Sequence, residues 1–344
     1  YEKYPEKYIY IFHFSLFKFN FSEMVLSILA YIFFSEEPSI CIGNLSVGGS
    51  GKTPMTIYLS NLLKNDFQIQ ILSRGYGRKT SGYKEVSEDS TSDDVGDEPL
   101  LYKKRFKTVI TVAVAEKRSL GANELLKIQI KNSILLLDDA FQHRSVNAGF
   151  SILLTPFQQI FSSDFLLPVG NLREARCGAK RADCIVITKC PESIEAPHKN
   201  RIIECIQKYS KPIFFSSIEY GELISFGAKR NSFETVLLVC GIAQPETLII
   251  ELRKKYKVEV LLFADHHNFD SSDIKEIHQK FNTFVGDGAA ILTTEKDSFR
   301  LLKFEKLLKG ITICCIPIEV GFHGKQSDFD SLILNYVEEN NFNN

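Results

Sequence analysis

From residue 38 onward the chain alternates short apolar runs with stretches of helical periodicity. Ile40, Cys41 and Ile42 form an apolar run of strand length, and Met55, Leu59, Leu62 and Leu63 follow at helical spacing. Ile69 to Leu72 alternates as a strand and ends in a glycine-rich basic turn, Ser73-Arg74-Gly75-Tyr76-Gly77-Arg78. The polar residues 79–94 read as a mobile surface loop, and Gly96-Asp97-Glu98-Pro99 as a helix start with its acids at the positive end of the dipole. Further strands are predicted at Ser133 to Leu137, Ser151 to Thr155 and Asp183 to Lys189. Short β-like pieces at 212–218 and 223–226, set among polar turns, read as a join between two domains. A second alternation of strands and helices then begins at Val236, with strands at Val258 to Phe263, Ala289 to Thr294 and Ile311 to Ile318. Strands alternating with helices predict a parallel-sheet α/β fold.

The chain has 344 residues, enough for about two domains. Its formal net charge of −1 argues against a general nucleic-acid binder. The 8 cysteines form no Cys-x-x-Cys pair and read as small core residues of a reducing compartment. Residues 1–34 are rich in Tyr and Phe and poor in charge, and Met24 to Phe34 is apolar but for Ser27. That stretch is too short to span a bilayer and suits its interface, so 1–34 is a candidate membrane-surface segment. No obligate protein partner is evident.

The chemistry begins where the first strand ends. Ser46-Val47-Gly48-Gly49-Ser50-Gly51-Lys52-Thr53 lies between a strand and a helix, the arrangement of a phosphate-binding loop. Its glycines let successive backbone N–H groups converge on an anion at a helix N-terminus. Lys52 would reach the β- and γ-phosphates and Thr53 would offer its hydroxyl to Mg²⁺. Ser46 stands where the usual pattern has Gly, and Pro54 fits the first helical turn.

A second signature closes the strand at 133–137. Four aliphatic-rich positions end in Asp138-Asp139, carboxylates placed to serve a metal ion and Lys52. Arg74 and Arg78 sit at the ligand-facing edge of a predicted parallel strand. Asn171, Arg173, Glu174 and Arg176 lie in a Pro/Gly-rich loop suited to an anionic substrate. Pro191 occupies the place where a GTPase following Thr188-Lys189 would carry Asp, which disfavours guanine. In Asp265-His266-His267, neighbouring side chains on a strand point apart, so a catalytic His266 held by a carboxylate is favoured over a metal pair. His267 reads as structural.

The ordered motifs resemble one family, the tetraacyldisaccharide 4′-kinases of lipid A synthesis. They are Gly43 to Pro54, Leu72 to Gly77, Val95 to Pro99, Asp138 to His143, Leu167 to Glu174, Ala264 to His266 and Thr293 to Asp297. Ala140 departs from the Gly usual after the paired aspartates. The resemblance implies a P-loop NTPase-type parallel sheet domain plus a smaller α/β domain, joined by a β-ribbon and closing over ATP. The expected boundaries are 35–215, a ribbon at 216–235, and 236–344. It further implies a kinase moving the γ-phosphoryl of MgATP to the 4′-hydroxyl of a tetraacyldisaccharide 1-phosphate. Lys52, Thr53, Asp138 and Asp139 would serve phosphates and Mg²⁺, and Asp97 with His266 would take the hydroxyl proton once the domains close. The enzyme would be peripheral on the cytoplasmic face of the bacterial inner membrane. A P-loop kinase of a soluble small molecule, or a partner-regulated assembly ATPase, remains the alternative.

Overall fold

A computed structural model describes residues 38–127, 131–143, 145–227, 232–242, 245–265, 267–284 and 288–340. The candidate membrane-surface segment, residues 1–34, and the candidate base His266 lie outside the described residues. In chain order the strands are β1 (Ser39–Asn44), β2 (Gln68–Ser73), β3 (Lys84–Glu85), β4 (Thr111–Val114), β5 (Ser133–Asp138), β6 (Phe150–Pro156), β7 (Cys184–Thr188) and β8 (Ile213–Tyr220). They continue with β9 (Ile224–Gly227), β10 (Thr235–Cys240), β11 (Lys257–Leu262), β12 (Ala289–Thr294), β13 (Thr312–Ile316) and β14 (Ile318–Phe322). The helices are α1 (Lys52–Leu63), α2 (Ser92–Val95), α3 (Asp97–Phe106), α4 (Arg118–Leu126), α5 (Ala196–Ile206), α6 (Glu246–Arg253), α7 (Ser271–Phe281), α8 (Glu295–Leu301) and α9 (Gln326–Asn340).

The larger sheet runs β14-β8-β7-β6-β1-β5-β2-β4-β3, parallel except at its two edge strands. The smaller runs β11-β10-β12-β13-β9, with only β9 antiparallel. Strands covered on both faces need apolar residues on both, which is why the central ones read as unbroken hydrophobic runs. Period two sends Ile40, Ile42, Ile134 and Leu136 to one face, where α1, α3 and α9 cover them. It sends Cys41, Leu135 and Leu137 to the other face, against Ala122 and Leu125 of α4. In the smaller sheet α7 and α8 cover one face and α6 the other. The P-loop NTPase-type α/β class predicted from the sequence is the class observed. The eight cysteines are free, six of them buried, as their small-hydrophobe reading expects.

Parallel register sets the site. Ile42 of β1 is paired with Asp138 of β5, and Leu72 of β2 with Leu137. The carboxyl ends of these strands therefore finish level with one another. β1 lies between β5 and β6, so the chain's crossovers diverge there and leave a crevice at the strand ends.

Three features differ from the sequence reading. Residues 79–94 contain β3 and α2, pinned where the Lys79 amide donates to Asp93 O at 2.7 Å. The predicted unit 236–344 gives up its last part, because β14 and α9 belong with the larger sheet. Phe329, Ile333 and Val337 of α9 are fully buried there, and Tyr336 Oη donates to Ser39 O at 3.0 Å. The ribbon accordingly has two sources: β8 pairs with β14, and β9 pairs with β13, so two chain segments join the sheets rather than 216–235 alone.

Gly43 tolerates no larger residue, since a Cβ there would lie 2.5 Å from the Cβ of Phe141. Gly43→Ala should lower stability by about 1–3 kcal/mol. Urea unfolding with a lower midpoint at unchanged slope is the expected result.

Candidate active site

The loop between β1 and α1 is held from both sides. Gly51 adopts φ 85° as it opens α1, a left-handed conformation that disfavours side chains. On one side, Ser46 bridges Leu172, the Val47 amide donates to Asn171 O at 2.8 Å, and the Arg173 amide donates to Leu45 O at 2.7 Å. On the other, Thr188 Oγ1 at the end of β7 donates to Ser50 O at 2.9 Å. Val47, Gly48 and Gly49 remain exposed, whereas Ser50 is buried with its hydroxyl unpaired among the described residues. A loop so braced keeps its amides fixed at the positive end of α1, ready for an anion.

Charge gathers directly behind it. Lys52 Nζ donates to Asn44 Oδ1 at 3.3 Å and lies 3.5 Å from Asp139 Oδ1. Arg173 reaches the same two side chains, with Nη2 3.3 Å from Asp139 Oδ1. Asp139 sits at φ 49°, a left-handed turn that Asp tolerates better than most residues. Burial opposes its ionisation, but Lys52, Arg173 and Arg118 outweigh burial and hold the carboxyl below its ordinary range. Asp138 goes the other way. Burial first, then the adjacent Asp139 and Glu98, push it up to about 6. Two neighbouring carboxylates thus differ in proton affinity because Asp139 pairs with Lys52 and Arg173, whereas the pull of Lys52 on the more deeply buried Asp138 does not offset its burial.

One Asp138 oxygen accepts from Ser73 Oγ at 3.1 Å, and the other, Oδ1, is buried with no hydrogen-bond partner among the described residues. Such an orphaned oxygen fits a cation or its water. Among the described residues no three acids, histidines or cysteines cluster as a complete metal site. Mg²⁺ does not require one, since it commonly takes one or two carboxylates and fills its shell with phosphate oxygens and water. Asp138, Asp139 and Thr53 suit that pattern.

The other predicted residues divide. Asn171 and Arg173 are at the loop as expected. Glu174 accepts from Arg181 at 2.7 Å and from Gln142 at 3.2 Å, bracing the loop's base. Arg74 is exposed at the strand end. Arg78 is turned away: its Nε donates to Glu116 at 3.1 Å and its Nη2 to Gly82 O at 2.6 Å. Asp97 is paired with Arg300 of α8, which also donates to His267 O at 3.2 Å. Beside that pair Lys296 meets Glu98, and Arg105 meets Glu295 at 3.2 Å. The two sheets therefore touch through ion pairs at Asp97. His267 bonds Asp273 at 2.7 Å and stacks on Phe263, in keeping with a structural role.

Sequence reasoning passed over three cations. Arg118 is fully buried and donates to Ala115 O at 2.7 Å and Asp138 O at 3.1 Å, fixing the turn that presents both carboxylates. Lys189 lies so near the loop that a Cβ on Gly49 would be 3.5 Å from its Nζ. Burial lowers the pKa of its ammonium group. Arg300 is the third. Only Lys189 carried a signal, the Thr-Lys pair closing a strand.

Strand, glycine loop, Lys-Thr helix and strand-end carboxylates define the class: a P-loop NTPase-type α/β protein. The family model described as tetraacyldisaccharide-1-P 4′-kinase matches residues 30–338. The tetraacyldisaccharide 4′-kinase of Flavobacterium psychrophilum is 43% identical over 314 residues, covering 89% of this chain and 89% of that relative. That of Bacteroides fragilis is 40% identical over 323 residues, covering 89% and 86%. A crystal structure of LpxK from Aquifex aeolicus, an "apo" form in complex with ATP, matches at TM-score 0.65 and 26% identity over 92% of this chain and 98% of that one. The chain belongs to the tetraacyldisaccharide 4′-kinase family.

Two outcomes follow from the site's electrostatics. The folded Asp138 carboxyl holds its proton more tightly than an unfolded one, so its ionisation penalty is absent below about pH 4 and complete above about pH 6. Asp138→Asn should therefore raise the thermal midpoint of the metal-free protein at pH 8 and leave it nearly unchanged at pH 4. Equal shifts at both would contradict charge burial. Arg300 is 5% exposed and Asp97 15%. Arg300→Met should cost about 3 kcal/mol in urea unfolding, with part recovered in the Asp97→Asn/Arg300→Met double variant.

Proposed function

We propose that this enzyme transfers the γ-phosphoryl of ATP to the 4′-hydroxyl of a tetraacyldisaccharide 1-phosphate, a late step of lipid A synthesis. The observation that carries the reading is the convergence of Lys52 and Arg173 on Asp139 at the mouth of a braced phosphate loop, in a chain of this kinase family. The acceptor oxygen bonds to the γ-phosphorus as the bond from that phosphorus to the β,γ-bridging oxygen breaks, and ADP leaves. Such a transfer needs positioning and charge neutralisation more than covalent catalysis. Backbone amides of residues 46–51 cradle the phosphates, Lys52 and Lys189 carry opposing positive charge, and Arg173 swings between Asp139 and the transferred group. Thr53, Asp138 and Asp139 would hold Mg²⁺, which neutralises phosphate charge when bound. Arg74 stands at the same edge for the acceptor's 1-phosphate.

The proton of the attacking hydroxyl passes to His266, oriented by Asp97. This role for His266 rests on the motif Ala264-Asp265-His266. Imidazole titrates near neutrality, which suits a base for a sugar hydroxyl. Arg300 pairs with Asp97 and joins it to the smaller sheet, so contact of that sheet and assembly of the dyad are coupled. The chain works in this reading as two units, the larger including β14 and α9, hinged on the paired segments around 220–224 and 316–318. Among the described residues no helix is long and apolar enough to cross a membrane. A lipid acceptor and cytosolic ATP support a peripheral position on the cytoplasmic face.

Transfer of ³²P from γ-labelled ATP to tetraacyldisaccharide 1-phosphate in detergent micelles tests the reading. Wild type should label the lipid, and Asp97→Ala and His266→Ala should each reduce kcat by about 10²–10⁴. ATP hydrolysis without labelled lipid would overturn it.

A further inference from the structure

The segment 164–172 does more than brace the phosphate loop. It exposes four large apolar residues within five positions: Phe165 at 61%, Leu166 at 49%, Leu167 at 52% and Val169 at 84%. Exposure on this scale is unusual for a soluble surface and marks a site of contact. The exposure is also enforced. The Leu167 amide donates to Leu172 O at 3.0 Å and the Leu172 amide to Phe165 O at 2.9 Å, closing a tight hairpin. Asp164 Oδ1 accepts from the Phe165 amide at 2.8 Å and the Asn171 amide at 3.1 Å across its neck. The chain has fixed these side chains in water, where the hydrophobic effect opposes them.

The hairpin's position says what covers it. Its returning arm is bonded to the phosphate loop through Ser46 and Val47, so the apolar tip and the phosphoryl-transfer site are parts of one rigid body. At its base Arg176 lies 5.1 Å over the Phe165 ring and Lys180 follows on the exposed surface, with Arg181 beside it held to Glu174 at 2.7 Å. An apolar tip above a basic collar matches the layering of an anionic bilayer, acyl chains inside and negative headgroups at the surface. We propose that Phe165, Leu166, Leu167 and Val169 insert into the headgroup–acyl boundary of the membrane that carries the lipid acceptor. The hairpin then fixes the height of the phosphate loop above the bilayer, where the acceptor's sugar hydroxyl stands. The choice of acceptor rests on the kinase reading, whereas insertion is measurable without catalysis.

The chain contains no tryptophan, so Val169→Trp provides a single emitter at the tip. With vesicles of phosphatidylcholine and phosphatidylglycerol its emission should shift to the blue and be quenched by brominated acyl chains. Trp placed at Ile250, exposed on α6 of the smaller sheet, should stay aqueous. Val169→Asp should raise the KM for micellar lipid acceptor by about tenfold, the loss of roughly one buried aliphatic side chain, with the KM for ATP unchanged. An unshifted Val169→Trp, whether or not the protein sediments with vesicles, would overturn the proposal. So would a shift seen only with dispersed acceptor below its micellar concentration, which would make the tip an acyl-chain subsite. A blue shift without lipid phosphorylation by the wild type would leave insertion standing and remove the kinase reading alone.

Discussion

The parallel pairing of β1 with β5 is the constraint on which the site depends. Register alone puts the last residues of β1 beside Asp138, so a loop built to receive phosphate ends next to two carboxylates. Neither group would be useful without the other. Amides and Lys52 supply positive charge to an anion, and the carboxylates supply negative charge to its counter-ion. Bringing like charges together in a buried crevice is unfavourable, and the chain meets this by dividing the pair. Asp139 faces Lys52 and Arg173, while Asp138 turns inward to Ser73 and keeps one oxygen without a hydrogen-bond partner among the described residues.

Bracing is the second theme. The loop is tied through Leu45, Ser46 and Val47 to residues 171–173 on one side and through the Ser50 carbonyl to the Thr188 hydroxyl on the other. Arg118 secures the carboxylate turn from beneath. Preorganisation of this kind leaves little rearrangement to be made when phosphate arrives. The smaller sheet joins through Arg300, Lys296 and Glu295, charged contacts that separate more readily than an apolar interface. An interface of ion pairs suits a movement that opens for a bulky lipid and closes for transfer.

What could be read from the sequence was chemistry carried by consecutive residues. The glycine loop, Asp138-Asp139 and the strands before them depend on local spacing, and all appear where expected. The return of α9 to the larger sheet was not legible, because Phe329, Ile333 and Val337 announce an amphipathic helix without naming the surface that covers it. Arg300 and Arg118 were invisible for a similar reason. Each acts through a partner distant in sequence, Asp97 across 203 positions for Arg300 and Asp138 across 20 for Arg118. Arg78 misled in the opposite sense, since its glycine-rich setting suggested a ligand while Glu116 had already claimed it.

The account holds that Lys52 and Asp139 form one charge centre around the nucleotide phosphates. A double-mutant cycle on MgATP affinity, with Lys52→Met, Asp139→Asn and the pair, addresses that directly by calorimetry. If the two act as a unit, the double variant will bind MgATP no more weakly than the worse single variant, a coupling of about 1 kcal/mol or more. Losses that add in full would show that the two side chains serve the nucleotide independently, and the central claim would fail.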